Sequence, residues 1–122
     1  MASDNLIKLS FNYKIWLETN DHVSVLGDGK WLLLKAIRDT GSLKAAVDKL
    51  GFTYRRTWND LKRIEKKLGF PILCKIRGGK DGGMTSLTDE GLKIVDLFER
   101  FHAAFDSKFK KELEKIISSQ QS

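Results

Sequence analysis

Two short amphipathic segments with almost no chain between them constrain the fold of this sequence more than any other feature. Ser42 is suited to cap a helix whose apolar positions follow the i, i+3, i+4, i+7 pattern, and Gly51 ends that helix. Thr53 is then expected to cap a further helix, which stops at Gly69. The positions expected to face the core from this helix are Thr57, Leu61, Ile64 and Leu68. Because only a tight turn fits between Gly51 and Thr53, residues 42–68 are predicted to form a helix-turn-helix.

The chain before this unit is predicted to form a hairpin and one helix. Apolar residues occupy alternate positions over Leu9–Leu17, which is typical of a half-buried strand. A short return strand through Val25 completes a predicted hairpin over residues 8–26. Gly27-Asp28-Gly29 is expected to be a turn, and the helix is expected to span Lys30–Asp39.

The chain after the helix-turn-helix is predicted to form a second hairpin and a long helix. Residues 71–87 have the pattern of a strand, a glycine-rich loop and a return strand, which we refer to as the wing. Thr88 is suited to cap a helix over residues 89–117, roughly 42 Å long. The prediction is therefore a mostly α fold with a small β component (α+β), organised as a single winged helix-turn-helix domain over residues 1–122.

The positive charge of the chain is concentrated rather than spread evenly. Between Lys44 and Lys80 there are eleven Lys or Arg residues and three acidic residues, an excess of eight positive charges, while the whole chain carries +6. A patch of this kind favours a phosphate backbone, an anionic lipid surface or an acidic partner. The simplest alternative is an ordinary solvated helix face.

The start of the second helix of this unit has the composition of a surface that contacts nucleic acid. Arg can pair bidentately with guanine and Asn with adenine, whereas hydroxyl groups and a helix N-terminus suit phosphates. The wing adds Lys75, Arg77 and Lys80 for a neighbouring backbone or minor groove. Trp58 is expected to lie in the core rather than to stack on a base. The residues predicted to bind DNA from the helix are Thr53, Tyr54, Arg55, Arg56, Asn59 and Arg63.

These stretches together resemble a known family of regulators. Gly41-Ser42 opens the first helix of the helix-turn-helix, and Tyr54 and Trp58 lie in its second helix. A GGK-x-GG loop follows at 78–83, and Leu87-Thr88 precedes the long helix. This pattern is similar to the winged helix of the ModE-type molybdate-dependent transcriptional regulators, whose DNA-binding domain is akin to that of LysR-type regulators. The resemblance covers about residues 13–105 and implies DNA binding and dimerisation. Because the chain ends near the close of the long helix, no molybdate-binding domain and no molybdate binding are expected.

No motif in the sequence predicts catalysis, a metal or a cofactor. His22 and His102 lie far apart and are each expected at the surface, and Cys74 has no partner for a metal site. The glycine loop at 78–83 lacks the spacing of a P-loop. We therefore expect no enzyme, no metal ligand and no cofactor. The start of the chain lacks a signal peptide, and no apolar run approaches the roughly 20 residues of a membrane span, so a cytoplasmic protein without membrane association is expected.

The long predicted helix carries an apolar stripe that a domain of this size is not expected to cover. The stripe consists of Ile94, Leu97, Phe98, Phe101, Phe105, Phe109, Leu113, Ile116 and Ile117. We expect it to form a homodimer that places two reading helices about 34 Å apart on double-stranded DNA. The alternative is that the helix folds back over Leu6, Ile7 and the N-terminal strand of its own chain. Two other classes also stay open, a protein–protein interaction module and a non-specific nucleic-acid-binding protein.

Overall fold

Helices dominate the fold, and two small hairpins complete it. The computed structural model describes residue 5 and residues 8–76 and 84–120. In chain order the elements are β1 (Trp16–Glu18), β2 (Ser24–Gly27), α1 (Asp28–Thr40), α2 (Leu43–Leu50), α3 (Tyr54–Leu68), β3 (Leu73–Ile76), β4 (Met84–Leu87) and α4 (Asp89–Gln120). This is the predicted α+β winged-helix architecture with a long C-terminal helix.

The caps predicted for the helix-turn-helix are largely confirmed. Gly41 and Gly51 follow α1 and α2 with φ of 94° and 72°, a left-handed conformation that glycine adopts at no steric cost. The Ser42 hydroxyl accepts the Ala45 N–H at 3.1 Å and so caps α2. Thr53 holds the N-cap position of α3, but its side chain makes no capping hydrogen bond. Its hydroxyl is therefore not used to hold the helix end.

The N-terminal hairpin is shorter than the predicted 8–26. β1 and β2 are antiparallel, with Leu17 opposite Leu26, and β2 ends where α1 begins. The residues before β1 therefore have no described strand to pair with, so the prediction of a strand over Leu9–Leu17 is wrong for all but its last residues. The alternation survives only as a burial pattern, since Tyr13 and Ile15 are half-buried whereas Leu9 is exposed.

The turn expected at Gly27-Asp28-Gly29 is instead the beginning of α1. Gly27 is the last residue of β2 and the N-cap of the helix, and Asp28 lies in the first turn. A carboxylate in that position is stabilised by the positive end of the helix dipole. Asp28 also accepts the backbone N–H of Ile15 at 3.3 Å, which fixes the entering chain against the helix. The helix thus spans Asp28–Thr40 rather than Lys30–Asp39.

The second hairpin and α4 are joined by hydrogen bonds around one threonine. β3 and β4 are antiparallel, with Leu73 opposite Leu87. The Thr88 N–H donates to the Ile72 carbonyl at 2.9 Å, and its hydroxyl accepts the Gly91 N–H at 3.1 Å, as expected of a cap. α4 is 32 residues long, or about 48 Å. Among the helices described, none has the length and apolar character needed to cross a membrane.

The core lies where α1, α2, α3 and the first turns of α4 meet. Thr57, Leu61 and Ile64 are buried as predicted, whereas Leu68 is only half-buried. The largest side chains with essentially no exposure are Leu33, Leu34, Ile37, Leu43, Val47, Leu61, Ile72 and Val95. Because α3 gives one narrow stripe to this core, most of its surface is left for other contacts.

Candidate nucleic-acid interface

The outer surface of α3 presents the predicted reading residues to solvent. Arg55 and Asn59 are one helical turn apart and lie on the face opposite the buried stripe. Arg56 and Arg63 flank that face and are also exposed. Thr53 and Tyr54, at the start of the helix, complete the exposed set. All six predicted residues are therefore exposed, with the arginines and Asn59 on the outer face and Thr53 and Tyr54 at the start of the helix.

Two lysines that the sequence reasoning missed extend the same surface. Lys62 and Lys66 follow Arg55 and Asn59 at seven-residue spacing and are both exposed. This spacing is two helical turns, so the pairs share one face. The helical period is the sequence signal that places these lysines on this face. The cationic face therefore runs along most of α3.

The two acidic residues of α3 are neutralised by neighbours. Asp60 accepts hydrogen bonds from Lys30 of α1 at 3.1 Å and from Arg63 at 2.7 Å. The hydrogen bond from Lys30 is the main reason that the pKa of Asp60 lies below its ordinary value. Asp60 is thus turned towards α1, and it holds Arg63 beside it. Arg63 is the one predicted reading residue with a described ion pair, so its release would accompany any contact with a base.

Glu65 fastens β3 to α3. Its carboxylate accepts the backbone N–H groups of Ile72 at 2.7 Å and Leu73 at 2.9 Å, and it lies 3.0 Å from the Lys62 ammonium. Partial burial alone would raise the pKa of Glu65, but these hydrogen bonds outweigh burial and lower it. The hairpin is therefore positioned directly by a side chain of the reading helix. No sequence motif marks this role.

Trp58 does not lie in the core, so the expectation of a core tryptophan is wrong. It remains 37% exposed, on the side of α3 that faces the hairpin. The Lys62 ammonium lies 5.1 Å from the centre of a Trp58 ring, within the range of a cation–π contact. The buried stripe of α3 is too narrow to include position 58, which is about 100° around the helix from Thr57.

The hairpin contributes one described cation of the three predicted. Lys75 is exposed on β3 and lies opposite Thr85 of β4. Arg77 and Lys80, the other two wing residues predicted to bind DNA, lie outside the described residues. Lys75 and the α3 cations face solvent beside one another because Glu65 holds β3 against the helix.

A second polar cluster joins the N-terminal segment, α1 and α4. His102 of α4 lies with its Nε2 2.7 Å from Asp28 and its Nδ1 2.9 Å from Asp106. The Tyr13 hydroxyl donates to Asp106, and the Asp106 carboxylate raises the pKa of Tyr13 to about 12. The His102 side chain is only 16% exposed and stacks on Trp31, so the expectation of a surface residue is wrong. The described residues include no group of three or more His, Cys, Asp or Glu placed to hold a metal.

Comparison with known proteins complements this geometry. No protein-family model matches the chain. The chain is similar to ModE and MopB proteins. It is 29% identical over 84 residues to the molybdenum transport protein ModE of Azotobacter vinelandii, a match that covers 69% of this chain and 31% of the relative. It is 32% identical over 78 residues to the molybdenum-pterin-binding protein MopB of Rhodobacter capsulatus, covering 64% of this chain and 29% of the relative.

A third relative has the highest identity of these three. It is the transcriptional regulator ModE of Haemophilus influenzae, 37% identical over 71 residues, which cover 56% of this chain and 28% of the relative. The chain spans about 30% of the length of the curated relatives that it matches. The names of these relatives describe regulators and molybdenum-related proteins rather than enzymes.

Proposed function

We propose that this protein is a transcriptional regulator that binds duplex DNA through α3 and the β3–β4 hairpin. The observation that carries the proposal is the continuous cationic face of α3, on which Arg55, Asn59, Lys62 and Lys66 are exposed together. The relatives named as transcriptional regulators support it. The proposal extends transcriptional regulation from those names to this chain, and it does not extend the molybdenum-related roles that other names describe.

Roles within the site follow from residue chemistry. Arg55, Arg56 and Asn59 are near the start of α3, where a recognition helix contacts base edges. Thr53 and Tyr54 at the helix N-terminus, and Lys75 on the hairpin, suit phosphate contacts. We assign Arg77 and Lys80 to the same backbone role from the sequence. Arg63 is assigned to the edge of the site because Asp60 holds its guanidinium.

The test is binding to duplex sites selected from a random DNA pool. If six to eight phosphates are neutralised, affinity falls about 10³-fold or more between 50 and 200 mM salt. Arg55→Ala is expected to cost about 1–3 kcal/mol on the selected site and less on unrelated DNA. Lys111→Ala, an exposed lysine on the distal part of α4, is the control and is expected to change neither quantity. Binding that is insensitive to salt would contradict the proposal.

We further propose that the regulator is a homodimer formed along α4. Leu97, Phe101 and Phe105 are 50%, 46% and 45% exposed and follow one another at four-residue spacing. Each large apolar side chain buried contributes about 1.5–3 kcal/mol before the costs of association. A two-fold axis along this face would place two α3 helices for neighbouring half-sites about 34 Å apart. The fold-back alternative accounts for Phe109, whose ring centre lies 4.5 Å from that of Tyr13 in the same chain.

Sedimentation at tens of micromolar separates the two arrangements. Phe105→Glu is expected to convert the dimer to monomer, because it buries a charge in the proposed interface. Lys111→Glu adds an acid to the same helix away from the exposed Phe101–Phe105 stretch and is expected to leave the dimer intact. A monomeric wild-type protein would refute dimerisation, and a dimer insensitive to Phe105→Glu would place the interface elsewhere.

A further inference from the structure

Four side chains from α3 and the hairpin face one another across a shallow cleft. Trp58 and Lys62 are one helical turn apart on α3, and Lys75 and Thr85 are opposite each other on β3 and β4. All four line a cleft of about 50 Å³. Because Glu65 holds β3 on α3 through two backbone N–H groups, the two sides of the cleft are fixed relative to each other.

The size of the cleft decides what kind of group it can take. A cavity needs about 10–15 Å³ of such volume to hold one water molecule, so about 50 Å³ admits only a few groups of that size. A flipped nucleobase is much larger and does not fit. One phosphate and the edge of its sugar match the space, because only some of their atoms need to enter the cleft and the others remain in water.

Leu73 and Cys74 also line the cleft, so its cations and one hydroxyl stand beside an apolar side formed with Trp58, which suits an anion next to an apolar group. Lys62 has three N–H donors, of which Glu65 at 3.0 Å takes one, and its ammonium also lies against the Trp58 ring. Lys75 has no ion pair within the described residues, and Thr85 provides a hydroxyl. The cleft thus offers two cations against the one carboxylate of Glu65, which is itself occupied by Ile72 and Leu73.

We infer that this cleft binds one phosphate of the DNA backbone, with the Trp58 ring packed on the adjoining deoxyribose. The inference rests on the proposed function and adds Trp58, Lys62 and Thr85 to its site. A helix in the major groove has a sugar–phosphate strand along each side of it. The strand on the hairpin side would then run over the surface shared by α3 and β3–β4, on which the cleft opens. Trp58 then positions the DNA rather than reading its sequence.

The experiment compares salt dependence and tryptophan fluorescence on a selected duplex and on an unrelated one. Lys62→Ala and Lys75→Ala are each expected to reduce the magnitude of the slope of log K against log salt by about 0.9, on both duplexes, whereas Lys111→Ala leaves it unchanged. DNA is expected to quench the wild-type fluorescence, and Trp58→Phe to abolish that quenching while Trp16 and Trp31 remain. Circular dichroism checks that each variant is folded.

Replacing one backbone phosphate at a time by a neutral analogue identifies which phosphate lies in the cleft. Methylphosphonate is placed in turn at each backbone position of the selected duplex, and at one position the loss of affinity is expected to be non-additive with Lys62→Ala. Full additivity at every position, unchanged slopes, or quenching that persists in Trp58→Phe would overturn the inference while DNA binding itself stands. Absence of any salt-dependent DNA binding by the wild-type protein would instead refute the proposed function, and the inference with it.

Discussion

Replacing Gly91 by alanine reverses the usual effect of such a change in a helix. Gly91 is the third residue of α4 and is buried. Alanine in place of a helical glycine ordinarily stabilises by up to about 1 kcal/mol. Here an added Cβ would lie 2.8 Å from the Ile72 carbonyl oxygen and 3.4 Å from the Cβ atoms of Ile72 and Leu87. The Ile72 oxygen is a backbone atom, and it already accepts the Thr88 N–H at 2.9 Å, so it cannot move away without cost.

The net magnitude follows from the two opposing terms. Overpacking in a well-packed core costs about 1–3 kcal/mol, and contact with backbone favours the upper half of that range. After the helical gain is subtracted, Gly91→Ala is expected to lower the free energy of unfolding by about 1–2 kcal/mol. Gly29→Ala is the matched control, because Gly29 is also helical and an added Cβ meets nothing within 4 Å. It is expected to raise the free energy of unfolding by about 0.5–1 kcal/mol.

The assay is urea denaturation of both variants and the wild type at one protein concentration, since any oligomer makes stability depend on concentration. The expected order of midpoints is Gly29→Ala above wild type and wild type above Gly91→Ala. A Gly91→Ala protein as stable as Gly29→Ala would show that the contact between α4 and Ile72 relaxes freely, and would refute the reasoning.

Two further predictions concern ionised side chains. Partial burial alone would lower the pKa of His102, but hydrogen bonds to Asp106 and Asp28 raise it above its ordinary value. The contribution of protonated His102 to the stability of the fold is therefore full below pH 6.5 and is lost as the pH rises through the raised pKa. The destabilisation caused by His102→Gln, measured by urea denaturation, should therefore be larger at pH 6 than at pH 9, and equal values would contradict the ion-pair account. Glu65→Gln should cost about 1 kcal/mol at pH 7, because hydrogen bonds to a charged acceptor are stronger, and this cost should disappear as the pH falls below 4.5 through the lowered pKa of Glu65. An undiminished cost at pH 3 would show that the loss comes from packing instead.

The elements with strong local signals were predictable from the sequence. Glycine and serine at helix ends, together with the 3.6-residue period, predicted α2 and α3, because the Ala45 N–H donates to the Ser42 hydroxyl and the Gly69 N–H donates to the Glu65 carbonyl within a few residues. β4 lies at the end of residues 71–87, where a return strand was predicted. The strand before Trp16 was predicted wrongly, since alternation reports which side chains face inwards and not whether a partner strand lies alongside.

Contacts between distant parts of the chain account for what sequence patterns missed. The burial of His102 depends on α1 and the N-terminal segment reaching α4, and no local motif encodes that contact. The exposure of Arg55 and Asn59 follows from the period of one helix, whereas the role of Glu65 was missed because its partners are backbone groups of another element.

Because the hairpin is attached to one side of α3, different faces of the helix have different roles. One stripe, with Leu61, is committed to the core, and a second, with Glu65, sets the angle of the hairpin. The remaining arc of the helix surface, which includes Arg55 and Asn59, is exposed and takes part neither in the core nor in holding the hairpin. On the proposed DNA-binding role, the residues of that arc can be exchanged to alter which DNA sequence is preferred, while the spacing between helix and hairpin stays as it is. The specificity of such a protein can drift rapidly without any accompanying change in its architecture.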